Sequence, residues 1–299
     1  MAILKDLTGL HTLARPQGLL KRPGFVRWGV RIDTAPEWIW LALLAAALWP
    51  TWLWMGQRML DRSDDPLGLL ALSALGLLAW QQRRRLRPAP RLVWLALALA
   101  GAVAATLSQG LLPSLVVALL ALTALAAGLC AFVPASVASA PVLGLSVLSL
   151  PLLASLQFYA GYPLRVATAE ASRWLLALGH EVKRSGASLL VDGHLVIVDA
   201  PCSGVQMAWF GYFSACAVTL YLARGNRAFL TRLPAVSVLV LSGNIVRNTV
   251  LVAAEASGNP VPGWVHEGVG LGVLAAVCAA VAWVMSRPEK SRPWKARHV

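Results

Sequence analysis

The sequence predicts an all-α polytopic membrane protein of about eight transmembrane helices, with both termini on the cytoplasmic side. Three observations lead there. Of the 299 residues, 58% are hydrophobic and only 13% are charged, whereas soluble domains carry roughly a quarter charged. Eight apolar runs approach the roughly 20 residues that a helix needs to cross about 30 Å of hydrocarbon. The basic residues lie in short segments between those runs. The net charge of +13 is therefore a topology signal and an attraction to membrane lipids of negative charge. It does not indicate nucleic acid.

Residues 1–36 are polar and basic before any apolar run begins, which predicts a cytoplasmic tail and not a cleaved signal. The runs then fall at about 37–55, 67–82, 92–107, 111–133, 142–160, 202–222, 233–256 and 267–285. Only Ser108-Gln109-Gly110 separates the third from the fourth, so that pair reads as a tight helical hairpin. With the N-terminus inside, segments 1–36, 83–91, 134–141, 223–232 and 286–299 hold 19 of the 26 Lys and Arg. The outer segments 56–66 and 161–201 hold six, and Arg247 lies within a span. An odd number of spans would place the basic tail at 286–299 outside, against the positive-inside rule.

The outer segment before the sixth span has two parts. Residues 161–179 carry Leu164, Ala167, Ala171, Leu175 and Leu178 at helical spacing, the pattern of an amphipathic interfacial helix. Asp192-Gly193 between β-rich runs then predicts a hairpin that delivers the chain to Cys202. The whole of 37–285 reads as a single membrane domain, with any catalytic part at about 140–285.

The polar groups within the apolar runs carry the chemistry. In "VDAPCSGVQMAWF", Cys202 opens the sixth span. A thiol at a helix N-terminus is drawn toward thiolate by the helix dipole and unsatisfied N–H groups. The alternative is a small residue at a helix start, with Ser203 or Asp199 as the cap. Gln206, one turn on, orients a bound peptide or bonds a neighbouring helix. Arg247 sits in the outer half of the seventh span, with Asn244 on the same face. A charge there costs several kcal/mol unless it meets a polar cavity or partner, so it is either functional or a structural ion paired with Glu255. His266 opens the eighth span. Cys202, Arg247 and His266 thus come from three spans yet share the outer side, as a thiol acyl-transfer site would require. Cys130, Cys202, Cys216 and Cys278 form no CxxC pair, so neither a metal nor a cofactor is expected.

"APCSGVQ", then "NIVR", then "WVHEG" resembles the exosortase/archaeosortase family of membrane transpeptidases over roughly residues 140–285. The resemblance implies a Cys-dependent enzyme of a prokaryotic cytoplasmic (inner) membrane whose active site faces outward. Its partners would be exported proteins with a C-terminal signal: a short motif such as Pro-Glu-Pro, a transmembrane helix and a basic tail. By position, Cys202 matches the family nucleophile, Arg247 its Arg, His266 its His and Asn244 the Asn ahead of that Arg. Pro201 and Gln206 depart from the family pattern and bear on which motif is recognised. Thiolate attack, oxyanion stabilisation by Arg247 and proton transfer by His266 would form the mechanism. The rival is a transporter or flippase subunit that uses Arg247 and Asn244 as ligands and has no need of Cys202. Ser203 is a second possible nucleophile.

Overall fold

The structure, a computed structural model, describes residues 36–60, 66–198, 203–257 and 262–288. Both expected tails lie almost wholly outside these residues, as does Cys202. The described chain is mostly helical, with one small sheet. In order, the elements are α1 (Glu37–Ala47), α2 (Trp49–Leu60), α3 (Leu67–Gln82), α4 (Leu92–Leu107), α5 (Ser114–Phe132), α6 (Ser139–Leu148) and α7 (Leu153–Leu176). They are followed by β1 (Val182–Ser185), β2 (Ser188–Val191), β3 (His194–Ile197), α8 (Val205–Tyr221), α9 (Asn226–Ala256) and α10 (Gly263–Ser286).

Among the described residues, α5, α9 and α10 are long and apolar enough to cross a membrane, and counting each bent helix pair as one span raises the number to five. The helices α3 and α4 have 16 residues each and α8 has 17, about 24–26 Å at 1.5 Å per residue. Helices of that length span only with local thinning of the bilayer. α4 and α5 form the hairpin read from the sequence. Their backbones approach so closely that a Cβ added at Gly101 would lie 2.9 Å from the Cβ of Ala124, the close approach that small residues permit between membrane helices.

Three boundaries differ from the sequence reading. The first run is two helices meeting at 60°, α1 and α2, with Pro50 in the first turn of the second. The fifth run is broken, because α6 ends at Leu148 and α7 starts at Leu153 at 90° to it. Pro151 explains the break, since it lacks an N–H and pushes Leu150 out of helical geometry. Neighbours hold the corner: the Trp209 indole donates to the Leu148 carbonyl at 3.0 Å, and Gly68 packs directly on the Ser149 carbonyl. The amphipathic stretch expected at 161–179 is therefore the second half of α7, continuous with residues previously assigned to a span. Third, α9 begins at Asn226, inside the segment expected to be a loop, and its 31 residues are about 46 Å long.

The molecule has two chemically distinct ends. At one, basic segments cap helix C-termini, whose last carbonyls lack intrahelical donors. The Arg91 guanidinium donates to the Cys130 carbonyl at the end of α5, and the backbone N–H groups of Arg87 and Arg91 reach Phe132 and Ala131. Arg224 donates to Ser286 and Arg232 to Met285 and Arg287, closing the end of α10. Asn226 ties the start of α9 to Ser139 and Ala140 at the start of α6.

The sheet marks the other end. Its order is β1-β2-β3, all antiparallel, with Ser185 paired to Ser188 and Val191 to His194. Asp192 (φ +49°) and Gly193 (φ +87°) form the second turn, the two positive φ values that a type I′ hairpin demands. Leu189, Val191, Val196 and Val198 face inward onto Ala169 and Leu176 of α7 and Leu251, Val252 and Ala256 of α9. A larger core lies between the ends, where Leu75, Leu145, Met207, Val240 and Val281 meet from five helices.

The Asp192 carboxylate accepts from the Glu181 N–H at 2.8 Å and pairs with His180 Nδ1 at 2.6 Å. The His180 bond, then that N–H, hold its pKa below the ordinary carboxylate value. A carboxylate with a lowered native pKa stabilises the fold at pH above its unfolded value of about 3.9 and loses that contribution as pH falls through the native value. Protection of the Glu181 amide, measured against its intrinsic exchange rate at each pH, should therefore fall in acid below about pH 4. Asp192→Asn should exchange faster at neutral pH and lack that acid step.

Candidate active site

The start of α8, the middle of α9 and the start of α10 meet at the sheet end. Gly204 immediately precedes α8 with φ +85°, and a Cβ there would lie 2.8 Å from both Cγ and Nδ2 of Asn244. Glycine is thus required twice over at this position, by backbone conformation and by space. Asn244 is 3% exposed, and its Nδ2 donates to Thr168 Oγ1 of α7 at 3.2 Å. One buried amide therefore bonds α7 and lies against the residue two positions beyond Cys202.

Arg247 follows three residues later on the same face of α9. Its guanidinium packs over Gly270 of α10, where an added Cβ would be 3.3 Å from Nε and 3.4 Å from Nη2. His266 is the residue four positions before Gly270, in the first turn of α10, and residues i and i+4 share a helix face with Cβ atoms about 5–6 Å apart. His266 thus shares a face of α10 with Gly270, the residue on which Arg247 packs. Arg247 lies nine residues before the end of α9, about 14 Å. Close packing of the three helices fixes this geometry, because Gly243 sits against Val277 and Met207 with no room for a side chain.

Ser203 is 2% exposed and doubly engaged. Its hydroxyl donates to Gln157 Oε1 of α7 at 2.9 Å and accepts from the Val205 N–H at 3.4 Å. Gln206 is exposed on the first turn of α8. Two residues that sequence reasoning missed, Gln157 and Thr168, are the α7 partners of Ser203 and Asn244. A lone Gln in "LLASLQFYA" was a readable signal for the first. Ser172 and Asn248 were also missed. They are 0% and 2% exposed, one turn beyond Thr168 and Asn244 on the same two helices. The helices run in the same direction there, since Leu176 packs with Leu251 and Val252. Ser172 Oγ and Asn248 Nδ2 have no hydrogen-bond partner among the described residues. This second polar rung has the composition to hold a water.

Fold and site together define a polytopic helical membrane protein in which Gln157 and Thr168 of α7 bond Ser203, at the entry to α8, and Asn244 of α9. Residues 54–283 match the family model described as Transmembrane exosortase (Exosortase_EpsH), so the chain belongs to the transmembrane exosortase family. No curated protein and no solved structure matches it.

The contact between Gly204 and Asn244 predicts a coupled pair. Gly204→Ala should cost about 2 kcal/mol or more, from the left-handed backbone and the collision. Asn244→Ala removes the collision, so in the double variant the added cost of Gly204→Ala should shrink toward about 1 kcal/mol. Thermal unfolding of the four proteins in one detergent measures this coupling. Strictly additive costs would refute the contact.

Proposed function

We propose that this chain is a cysteine-dependent membrane peptidase-transpeptidase that cleaves a C-terminal sorting signal of exported proteins. The observation that supports the reading is that Asn244 packs on Gly204, two residues after Cys202 in the sequence, while Arg247, one turn along α9, packs on Gly270 of α10, the helix that His266 begins. In this reading the protein crosses a cytoplasmic membrane eight times, with both termini inside and the sheet end outside. The bent pairs α1–α2 and α6–α7 count as single spans, and 37–285 form one domain with its catalytic part at about 140–285.

The Cys202 thiolate attacks the scissile carbonyl just outside the substrate's own transmembrane helix. The developing oxyanion is stabilised by the permanently charged guanidinium of Arg247. His266 takes the thiol proton and returns it to the departing amine, leaving an acyl thioester on Cys202. A second nucleophile then attacks that thioester and regenerates the thiol: water gives hydrolysis, an amine gives transpeptidation. Asn244 positions the start of α8, and so the Cys202 backbone, through its contact with Gly204. Gln206, exposed on α8, is placed to touch the substrate chain.

The test is processing of a co-expressed protein bearing a motif, a transmembrane helix and a basic tail, followed by gel mobility and by the mass of the new C-terminus. Cys202→Ala should abolish cleavage at equal membrane abundance. Arg247→Gln should slow it by about 10²–10³, the usual cost of one oxyanion donor. Ser203→Ala should retain turnover. Full processing by Cys202→Ala would overturn the nucleophile and favour a transporter that uses Arg247 and Asn244 as ligands.

A further inference from the structure

A cavity of about 680 Å³ opens at the basic end, between α3, residues 134–138 and the last turn of α8. It lies at the opposite end of the helices from Asn244, Arg247 and His266, and the acyl-transfer chemistry makes no use of it. Its volume falls within the roughly 300–1,000 Å³ of sites that hold small ligands. Arg85 and Arg224 line it from different elements, together with the amides of Gln81 and Gln82, and no carboxylate among the described residues does. Leu77 and Leu220 supply apolar wall.

The backbone beside it is strained. The N–H of Ala223 donates to Leu220 at 3.1 Å and that of Arg224 to Thr219 at 2.9 Å, the two bonds of a Schellman turn. Such turns normally carry Gly at the left-handed position, yet Ala223 holds it here with φ +49°. A non-Gly residue in that region costs about 1–2 kcal/mol. The turn carries Arg224 to the cavity wall, where Nη2 is committed to the Ser286 carbonyl at 2.9 Å. Its Nε–H is buried without an acceptor among the described residues.

We propose that this cavity binds the headgroup and first methylenes of an anionic phospholipid. A phosphodiester matches the guanidinium fork of Arg85, which binds phosphate oxygens through paired N–H donors, with Arg224 adding a second positive charge to the wall. The amides of Gln81 and Gln82 suit headgroup hydroxyls. A choline headgroup brings a cation of its own into a site with two positive charges and no acid among its described lining, so it is disfavoured. The rim points to lipid as the source of the phosphate. Leu77 is 56% exposed and Tyr221 89%, and Trp80 on the next turn of α3 is 63% exposed. A soluble anion has no use for that apolar border. Basic pockets between helices near the negatively charged leaflet are physically suited to such headgroups. The proposal rests on the membrane assignment alone and stands or falls independently of the peptidase reading.

Full-length protein in a neutral detergent is titrated with phosphatidylglycerol or phosphatidylcholine, and adducts are counted by native mass spectrometry. Phosphatidylglycerol should bind about thirtyfold more tightly, the equivalent of roughly 1 kcal/mol for each of two Arg at about 1.4 kcal/mol per tenfold. Arg85→Gln should remove most of that preference. Ala217→Phe, which fills the cavity without changing charge, should lower binding of both lipids. Because the two variants act differently, misfolding of one leaves the other decisive. Equal binding of both lipids by wild type, or undiminished phosphatidylglycerol binding in the folded variants, would overturn the proposal. Displacement of the lipid by an equal concentration of inorganic phosphate would overturn it too, in favour of a soluble anion.

Discussion

The Asn244 side chain is the contact on which the arrangement of the sheet end depends. Placing an amide inside a membrane helix is expensive unless its hydrogen bonds are made within the protein. Here Nδ2 reaches Thr168, and the body of the amide fills the space that a side chain at Gly204 would need. That single group fixes α7 to α9 and sets how closely the chain entering α8 approaches them. The sheet follows, because its buried face packs on the next turns of the same two helices, at Leu176, Leu251 and Val252. Arg247 follows as well, one turn along α9 and pressed over Gly270. Move Asn244 and every group of the site moves with it.

The same economy governs the opposite end. A helix that ends near hydrocarbon leaves carbonyls without donors, and water is scarce to satisfy them. The Arg side chains that give the sequence its positive segments fill this role: Arg91 for α5, Arg224 and Arg232 for α10. Each interaction also sets a positive charge against the negative end of a helix dipole. The residues that report topology in the sequence thus cap helices in the structure. Arg232 does so from within α9, which explains why that helix starts far ahead of its apolar stretch. The residues 226–232 are too polar to read as a span, yet their bonds to α10 and to Ser139 keep them helical.

What the sequence made legible is what hydropathy and local turn chemistry encode. Each of the eight apolar runs is built mainly of helix where it is described, and Asp192-Gly193 makes its turn. The breaks at Leu48 and at 149–152 escaped a running average of hydropathy, which stays high through both corners. Pro50 and Pro151 carried that information in single residues. The candidate site divides along the same line. Arg247, His266 and Asn244 stood out because polar groups in apolar runs demand an explanation. Thr168, Ser172 and Asn248 carry no local signal of comparable strength. Their significance is a register between α7 and α9, separated by 76 residues at the Thr168–Asn244 bond. Such a pairing is set by packing and is invisible in either helix taken alone.

The commitments of Ser203 bear on which of two adjacent side chains serves as nucleophile. A serine hydroxyl becomes nucleophilic when its proton points at a base and its lone pairs face the substrate. The Ser203 proton goes instead to Gln157 Oε1, an amide oxygen with no useful basicity, while Oγ accepts from the Val205 N–H. At 2% exposure, no substrate carbonyl reaches it without dismantling that arrangement. Ser203 thereby satisfies one of the open N–H groups at the start of α8 and anchors this entry to α7. A thiol needs no strong base to ionise, and a helix start favours its anion, which is why the proposed nucleophile is Cys202 and not Ser203. Ser203 and Asn244 hold the chain that enters α8, and in the proposed mechanism the chemistry falls to Cys202, Arg247 and His266.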